Sequence, residues 1–296
     1  MKTERLPVGK RESKPAGRWE WLGLVFLGIF TVSAILGYGV FGRNPHLIPD
    51  SDSARAFYQA SFQLFARLHI LVAGAVLAIP LIRRARLGWV WGFLAVFAAS
   101  FLSEFIGTGY GVPFGGYSYT SLLGFKLGGR VPAVIPLSWF LMVLPSWALA
   151  HAIFPGDAQR TPRFLTGAYL LTAWDLALDP AMSFLTPYWI WEDSGPFYGM
   201  PWINLLGWMG TGLVLMAILE ASGVRKWGAD LPLRWLALYY GLVFLMPLGM
   251  VVAAGLWWAT GASLVALLLP WGIHIAMRGR GPASFEASLA SGSAAS

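Results

Sequence analysis

Long apolar runs, separated by short polar or basic breaks, dominate the chain. A membrane-crossing helix needs about 20 mostly apolar residues. Runs of that kind lie near 20–41, 62–82, 87–106, 133–154, 164–185, 202–221, 235–255 and 258–277. From Trp235 to Met277 no Asp, Glu, Lys or Arg interrupts the sequence. That stretch is long enough for two spans joined by a tight turn near Thr260-Gly261. The pattern predicts an all-α fold, a polytopic membrane helix bundle of about eight transmembrane helices. Residues 20–278 read as one membrane domain. A basic segment, 1–19, precedes it, and an Ala-, Ser- and Gly-rich tail, 279–296, follows with the composition of a disordered segment.

Charge fixes the expected orientation. The chain is 57% hydrophobic and 12% charged, with a mean hydropathy of +0.61 and a net charge of +7. Placing the N-terminus in the cytoplasm leaves only Arg43, Arg55, Lys126 and Arg130 outside, with Arg67 within a span. The positive-inside rule therefore predicts that both termini are cytoplasmic. The basic excess is topological, and its scatter over short loops argues against nucleic acid as a partner. The first apolar run is too long for a signal-peptide core and no small-residue cleavage site follows it, so it reads as a retained span of a multi-pass cell-membrane protein. Cysteine is absent, which removes disulfides, thiolate metal sites and Cys nucleophiles.

Against that background two carboxylates stand out, in the run Ala173-Trp174-Asp175-Leu176-Ala177-Leu178-Asp179-Pro180. An Asp at the centre of a membrane helix costs roughly 2.5–3.5 kcal/mol on insertion scales. A spacing of four places both carboxylates on one helix face, about 6 Å apart along the axis. Glu104, at the end of the third span, falls on the same outward half of the membrane. Carboxylates in a low-dielectric site suit general acid–base work, one protonated and one ionised. A purely structural polar network, or a pair with Arg67, is the alternative, and Asp179 precedes a proline that kinks the helix.

Two loops of unusual composition fall on that same side. One runs from Gly107 to Thr120 and contains Tyr117 and Tyr119. The other runs from Pro187 to Trp202 and contains Trp191. Both are dense in glycine and aromatic residues, as an interfacial belt would be, but their mixture with glycine and acids suggests a cap over a cavity. Glu192-Asp193 reads as a solvated pair. Gly107 to Gly111 is a poor phosphate loop, because it follows a membrane helix and not a strand. The histidines, His46, His69, His151 and His274, show no helical pairing, so a histidine-rich di-iron site is not expected; His69 and Arg67 are the two whose position allows a role at a site.

The D-x-x-x-D spacing of Asp175 and Asp179 also occurs in membrane prenyltransferases, where it holds magnesium and a diphosphate. That class needs a second Asp-rich motif, which the chain lacks. A proton-coupled transporter would use intramembrane acids too, but would show repeated halves.

Several short motifs carry a family resemblance. They are Glu104-Phe105-Ile106-Gly107-Thr108, Pro113-Phe114-Gly115-Gly116-Tyr117-Ser118-Tyr119, Val131-Pro132 with Ile135-Pro136, and the run from Ala173 to Pro180. Trp189-Ile190-Trp191 and Tyr198-Gly199-Met200-Pro201, with Asn204 and Gly207-Trp208, complete the set. Over residues 60–220 the chain resembles the integral-membrane carotenoid biosynthesis family, of the carotenoid 1,2-hydratase and bisanhydrobacterioruberin hydratase type. The resemblance implies a hydro-lyase that adds water, without a cofactor or metal, to the terminal double bond of a carotenoid such as lycopene or γ-carotene. It also implies a substrate dissolved in the bilayer and other carotenoid pathway enzymes as possible partners. On this reading Asp175, Asp179 and Glu104 are the candidate catalytic groups. Trp174, Tyr117, Tyr119, Trp191 and Trp208 are candidate cavity walls, and Asn204 is a candidate water ligand.

Overall fold

Each of the eight apolar runs forms a helix. The computed structural model describes residues 15–279; the basic segment up to residue 14 and the tail from residue 280 lie outside the described residues. The main helices are α1 (Arg18–Gly37), α2 (Asp52–Arg84), α3 (Gly88–Tyr110), α4 (Val134–Ile153), α5 (Arg160–Asp179) and α6 (Trp202–Ala221). A four-residue helix, α7 (Val224–Trp227), precedes α8 (Leu233–Ala253) and α9 (Trp257–Gly279). Helices α1 (with its π-helical extension), α2, α3, α4, α6 and α8 are long and apolar enough to cross a membrane. The other two runs differ from the simple pattern. Helix α5 carries Arg160, Arg163, Asp175 and Asp179, and α9 is apolar over Trp257–Ile273 among its described residues. The protein is an all-α, multi-pass helical bundle.

Helix α4 is the most enclosed of the six, with Trp139, Phe140 and Met142 to Leu144 all buried. It lies against α2, α3, α5 and α8, and α5 packs closely along both α4 and α6. Helix α2 extends ten residues before the expected start of its apolar run. Its 33 residues span about 50 Å at 1.5 Å per residue, well beyond a hydrocarbon core of about 30 Å.

Ionic groups close one end of the bundle. Arg84, at the end of α2, pairs with the buried Glu20 at the start of α1 at 2.5 Å. The fully buried Arg163 at the start of α5 pairs with Glu220 at the end of α6 at 3.1 Å, and donates to the carbonyl of Phe154 at 2.8 Å. Arg225 joins Glu220 at 2.5 Å and also pairs with Asp157. Several of the basic residues that set the expected orientation are thus neutralised where the helices converge, which offsets the cost of desolvating them.

The opposite end is closed by backbone pairing. Strand β1 (Tyr117–Tyr119) pairs antiparallel with a distant strand, Trp189–Trp191, in the register Tyr117↔Trp191, Ser118↔Ile190 and Tyr119↔Trp189. Between them in sequence, β2 (Lys126–Leu127) and β3 (Val131–Pro132) form a small hairpin; the strand Trp189–Trp191 is therefore β4. The two aromatic loops are joined, where helical patterning gave no strand. Gly111 ends α3 in the left-handed region at φ 70°, a conformation that glycine adopts without strain. The chain then passes so close to α6 that a Cβ on Gly207 would sit 2.7 Å from the carbonyl oxygen of Pro113 and 2.6 Å from the Phe114 ring. That carbonyl is backbone and has nowhere to go. Gly207→Ala is expected to cost about 1–3 kcal/mol through this overpacking. Gly210→Ala, where nothing lies within 4 Å, is expected to be neutral or stabilising by up to about 1 kcal/mol. Thermal midpoints in detergent check both; equal effects would contradict the close approach.

Candidate active site

The site is built where the cap meets α3, α5 and α6. In β1 the side chains of Tyr117 and Tyr119 are buried and Ser118 is exposed; in β4 Trp189 is buried, Trp191 half-buried and Ile190 exposed. This is the period-two alternation of a strand. It turns four rings toward the bundle from two loops about 70 residues apart in sequence, and the polar tips of those rings find the buried carboxylates.

Glu104, buried on α3, accepts three hydrogen bonds. The Tyr117 hydroxyl donates to Oε2, the Tyr119 hydroxyl donates to Oε2 at 2.8 Å, and the Trp139 indole N–H donates to Oε1 at 2.9 Å. Burial, and then the Glu104 charge beside them, hold both phenols well above their ordinary range, so both remain protonated donors. Asp179 is equally well supplied. Its Oδ1 accepts from Ser183 Oγ at 2.7 Å and from the Trp191 indole N–H at 3.1 Å, and its Oδ2 accepts from the Trp189 indole N–H at 3.3 Å. Helix α5 does not break at Pro180. It continues as one π-helical turn, Pro180–Phe184, closed by the Leu185 N–H on the Pro180 carbonyl at 3.0 Å. Such turns are frequent at functional sites, and this one sets Ser183 against Asp179.

Asp175 differs from both. It is fully buried, and one oxygen, Oδ2, accepts from Asn204 Nδ2 at 2.7 Å. The other, Oδ1, has no hydrogen-bond partner among the described residues, nor does the indole N–H of the adjacent Trp174. Asn204 also contacts Met200 Sδ at 3.0 Å, which fixes the amide that holds Asp175.

All three acids line one cavity of about 90 Å³. Its walls include each ring expected at the site: Tyr117, Tyr119, Trp174, Trp191 and Trp208. Trp139 and Trp208 stack at 4.2 Å, and Trp174 meets Trp208 edge-on at 5.9 Å. No Lys or Arg is among its lining residues in the described part of the chain. Arg67 contacts no acid here; it donates to the carbonyls of Leu122 at 2.6 Å and Ser121 at 3.1 Å, and so braces the loop after β1. His69 lines the cavity and meets Thr31 Oγ1 at 2.9 Å. Glu192 and Asp193 are exposed. Among the described residues no three His, Asp or Glu side chains converge as metal ligands.

Trp139, Ser183 and Trp189 were not among the candidate residues. Ser183 stands four residues after Asp179, a helical spacing that carries the signal. Trp139 sits in a mostly apolar helix, and nothing in its local sequence distinguishes it.

Fold and site define a multi-pass membrane protein whose helices enclose a ring-walled, acid-bearing cavity under a strand-pinned cap. The chain belongs to the carotenoid biosynthesis protein family, whose sequence profile matches residues 65–270. It is similar to a bisanhydrobacterioruberin hydratase of Haloarcula japonica, with 32% identity over 192 residues. That alignment spans 63% of this chain and 62% of the relative. No solved structure matches.

The hydrogen-bond pattern separates the acids by how they tolerate neutralisation. Glu104→Gln turns an amide N–H₂ toward groups that themselves donate, and is expected to cost about 1–3 kcal/mol. Asp175→Asn can keep Asn204 bonded to its remaining oxygen, and is expected to stay within about 1 kcal/mol of the parent. Thermal midpoints of the two purified variants check this order; Asp175→Asn as the more damaging change would contradict it.

Proposed function

We propose that the protein is a carotenoid hydratase, which adds water to the terminal 1,2 double bond of a linear or monocyclic carotenoid. The observation that carries the reading is the contrast between Asp175, which lines the cavity with one oxygen unpartnered among the described residues, and two carboxylates each held by three donors. The family and the hydratase relative support the same chemistry.

In this mechanism Asp175 acts as the acid. Its Oδ1–H proton adds to C-2 of the terminal trisubstituted alkene, the π electrons form the new C–H bond, and a tertiary cation remains at C-1. Trp208, Trp139 and Trp174 present ring faces or edges around that position, and an aromatic face stabilises a desolvated cation by up to about 2 kcal/mol. A water oxygen then bonds to C-1. Asp179, which accepts hydrogen bonds from Ser183, Trp189 and Trp191, takes the proton that this water loses. The product is a tertiary alcohol, and one proton returned to Asp175 completes the cycle. Asn204 positions Asp175, and the Trp174 N–H, unpartnered among the described residues, is available to donate to the oxygen of the water or of the new hydroxyl. Glu104 ties the cap to α4 and sets the inner face of the site.

The same geometry disfavours the prenyltransferase reading. A diphosphate site needs carboxylates free to hold a metal and cations to meet the phosphates. Here both oxygens of Asp179 are occupied, and the cavity lining has no Lys or Arg. The carotenoid would reach the site within the cell membrane, where other enzymes of its pathway are plausible neighbours.

Expression in a host that accumulates lycopene, with pigments analysed by mass spectrometry, tests the reaction. The expected products are heavier by one or two waters. Asp175→Asn, inserted at the parental level, is expected to reduce product by at least 10²-fold, the lower end for loss of a general acid. Unchanged pigments across several linear carotenoids, or full activity in Asp175→Asn, would contradict the reading.

A further inference from the structure

The acid cavity is too small for its proposed substrate. About 90 Å³ holds several water-sized volumes, enough for the end of an isoprenoid chain and a water, but not for a whole carotenoid. A second cavity of about 470 Å³ lies beside it, and the two share Ala66, Met182, Tyr188 and Met246 as walls. The larger cavity runs between α1, the turn after it, α2 and α8. Small residues open it: Ser33, Ala34 and Gly37 on α1, with Ala54 and Ser61 on α2. Among the described residues no Asp, Glu, Lys or Arg lines it. Phe57 and Phe41, 76% and 41% exposed, edge it toward the bundle surface.

We propose that this second cavity is a polyene channel: it holds the conjugated chain of a carotenoid whose end group lies at Asp175. The inference rests on the hydratase reading and adds where the rest of the substrate lies. A rigid, apolar rod enters end-first from the bilayer between α1 and α2, passes the constriction formed by Met182, Tyr188 and Met246, and delivers one terminus to the acids. The far terminus stays toward lipid, so the two ends of a symmetric carotenoid are hydrated in separate binding events. Much of the channel wall comes from residues 33–61, ahead of the family match at 65–270. The channel is thus where this chain would set its own selectivity for chain length and far-end structure.

Pigment retention tests the channel separately from the reaction. Asp175→Asn protein, purified from the lycopene-accumulating host, is expected to carry lycopene, read as visible absorbance per mole of protein. Adding Ala34→Trp or Ser61→Trp fills the channel and is expected to cut retained pigment about tenfold, equivalent to about 1.4 kcal/mol. Leu268→Trp, on the exposed face of α9, should leave retention unchanged. If the tryptophan variants do not fold, Ala34→Val and Ala34→Leu are expected to show a graded loss. Pigment retained equally in the filled variants, no pigment in the Asp175→Asn parent, or equal loss from Leu268→Trp would overturn the proposal. Channel-dependent retention with no added water in wild-type products would leave the channel standing and remove the hydratase reading.

Discussion

A carboxylate taken into an apolar interior must be met by donors or carry a proton, because an isolated buried charge is far too costly. The capped end of this protein is arranged around that requirement. Glu104 and Asp179 are each met by three donors, and most of those donors are ring N–H or O–H groups carried by the cap. Satisfying the two acids therefore also draws the loops together. Tyr117, Tyr119, Trp189 and Trp191 each bring a polar tip to an acid and an apolar body to the cavity wall, the dual character that buried Tyr and Trp side chains supply. The β1–β4 pairing, the close pass over Gly207 and the π-helical turn at Pro180 hold those tips in place.

Asp175 is the departure from the rule, and the departure is chemically useful. One oxygen is anchored by Asn204, and the other has no hydrogen-bond partner among the described residues, on a side chain that lines the cavity. A group left incompletely satisfied in a rigid, well-bonded shell is a pre-organised site for a reacting atom. In the proposed reaction Asp179 takes the opposite role, and the indoles offer faces for positive charge. The reaction proposed here needs those three elements and no diphosphate-binding cations, in keeping with the absence of Lys or Arg from the cavity lining.

Much of this was legible in the sequence, for identifiable reasons. Apolar runs of twenty residues are a strong signal, and each became a helix. Charged residues inside such runs are costly, so Glu104, Asp175 and Asp179 were conspicuous, and they share one cavity. The aromatic loops were recognisable by composition. Their pairing was not, because three-residue strands joined across about 70 residues leave no periodic trace. Trp139 was hidden in a helix that is mostly apolar and carries no charged residue. Arg67, readable from its position as a partner for an acid, instead satisfies the carbonyls of Ser121 and Leu122. The start of α2 at Asp52 was missed because its first turns are polar and extend beyond a membrane-length run.

The central claim is that a protein-held proton, delivered at the free oxygen of Asp175, begins the addition of water. Reaction of the purified protein with lycopene in deuterated water tests it most directly, with the label located by mass spectrometry and NMR. One non-exchangeable deuterium at C-2 is expected for each terminus hydrated, with a hydroxyl at C-1. A hydrated product without deuterium at C-2, or with the hydroxyl at any other carbon, would contradict the claim.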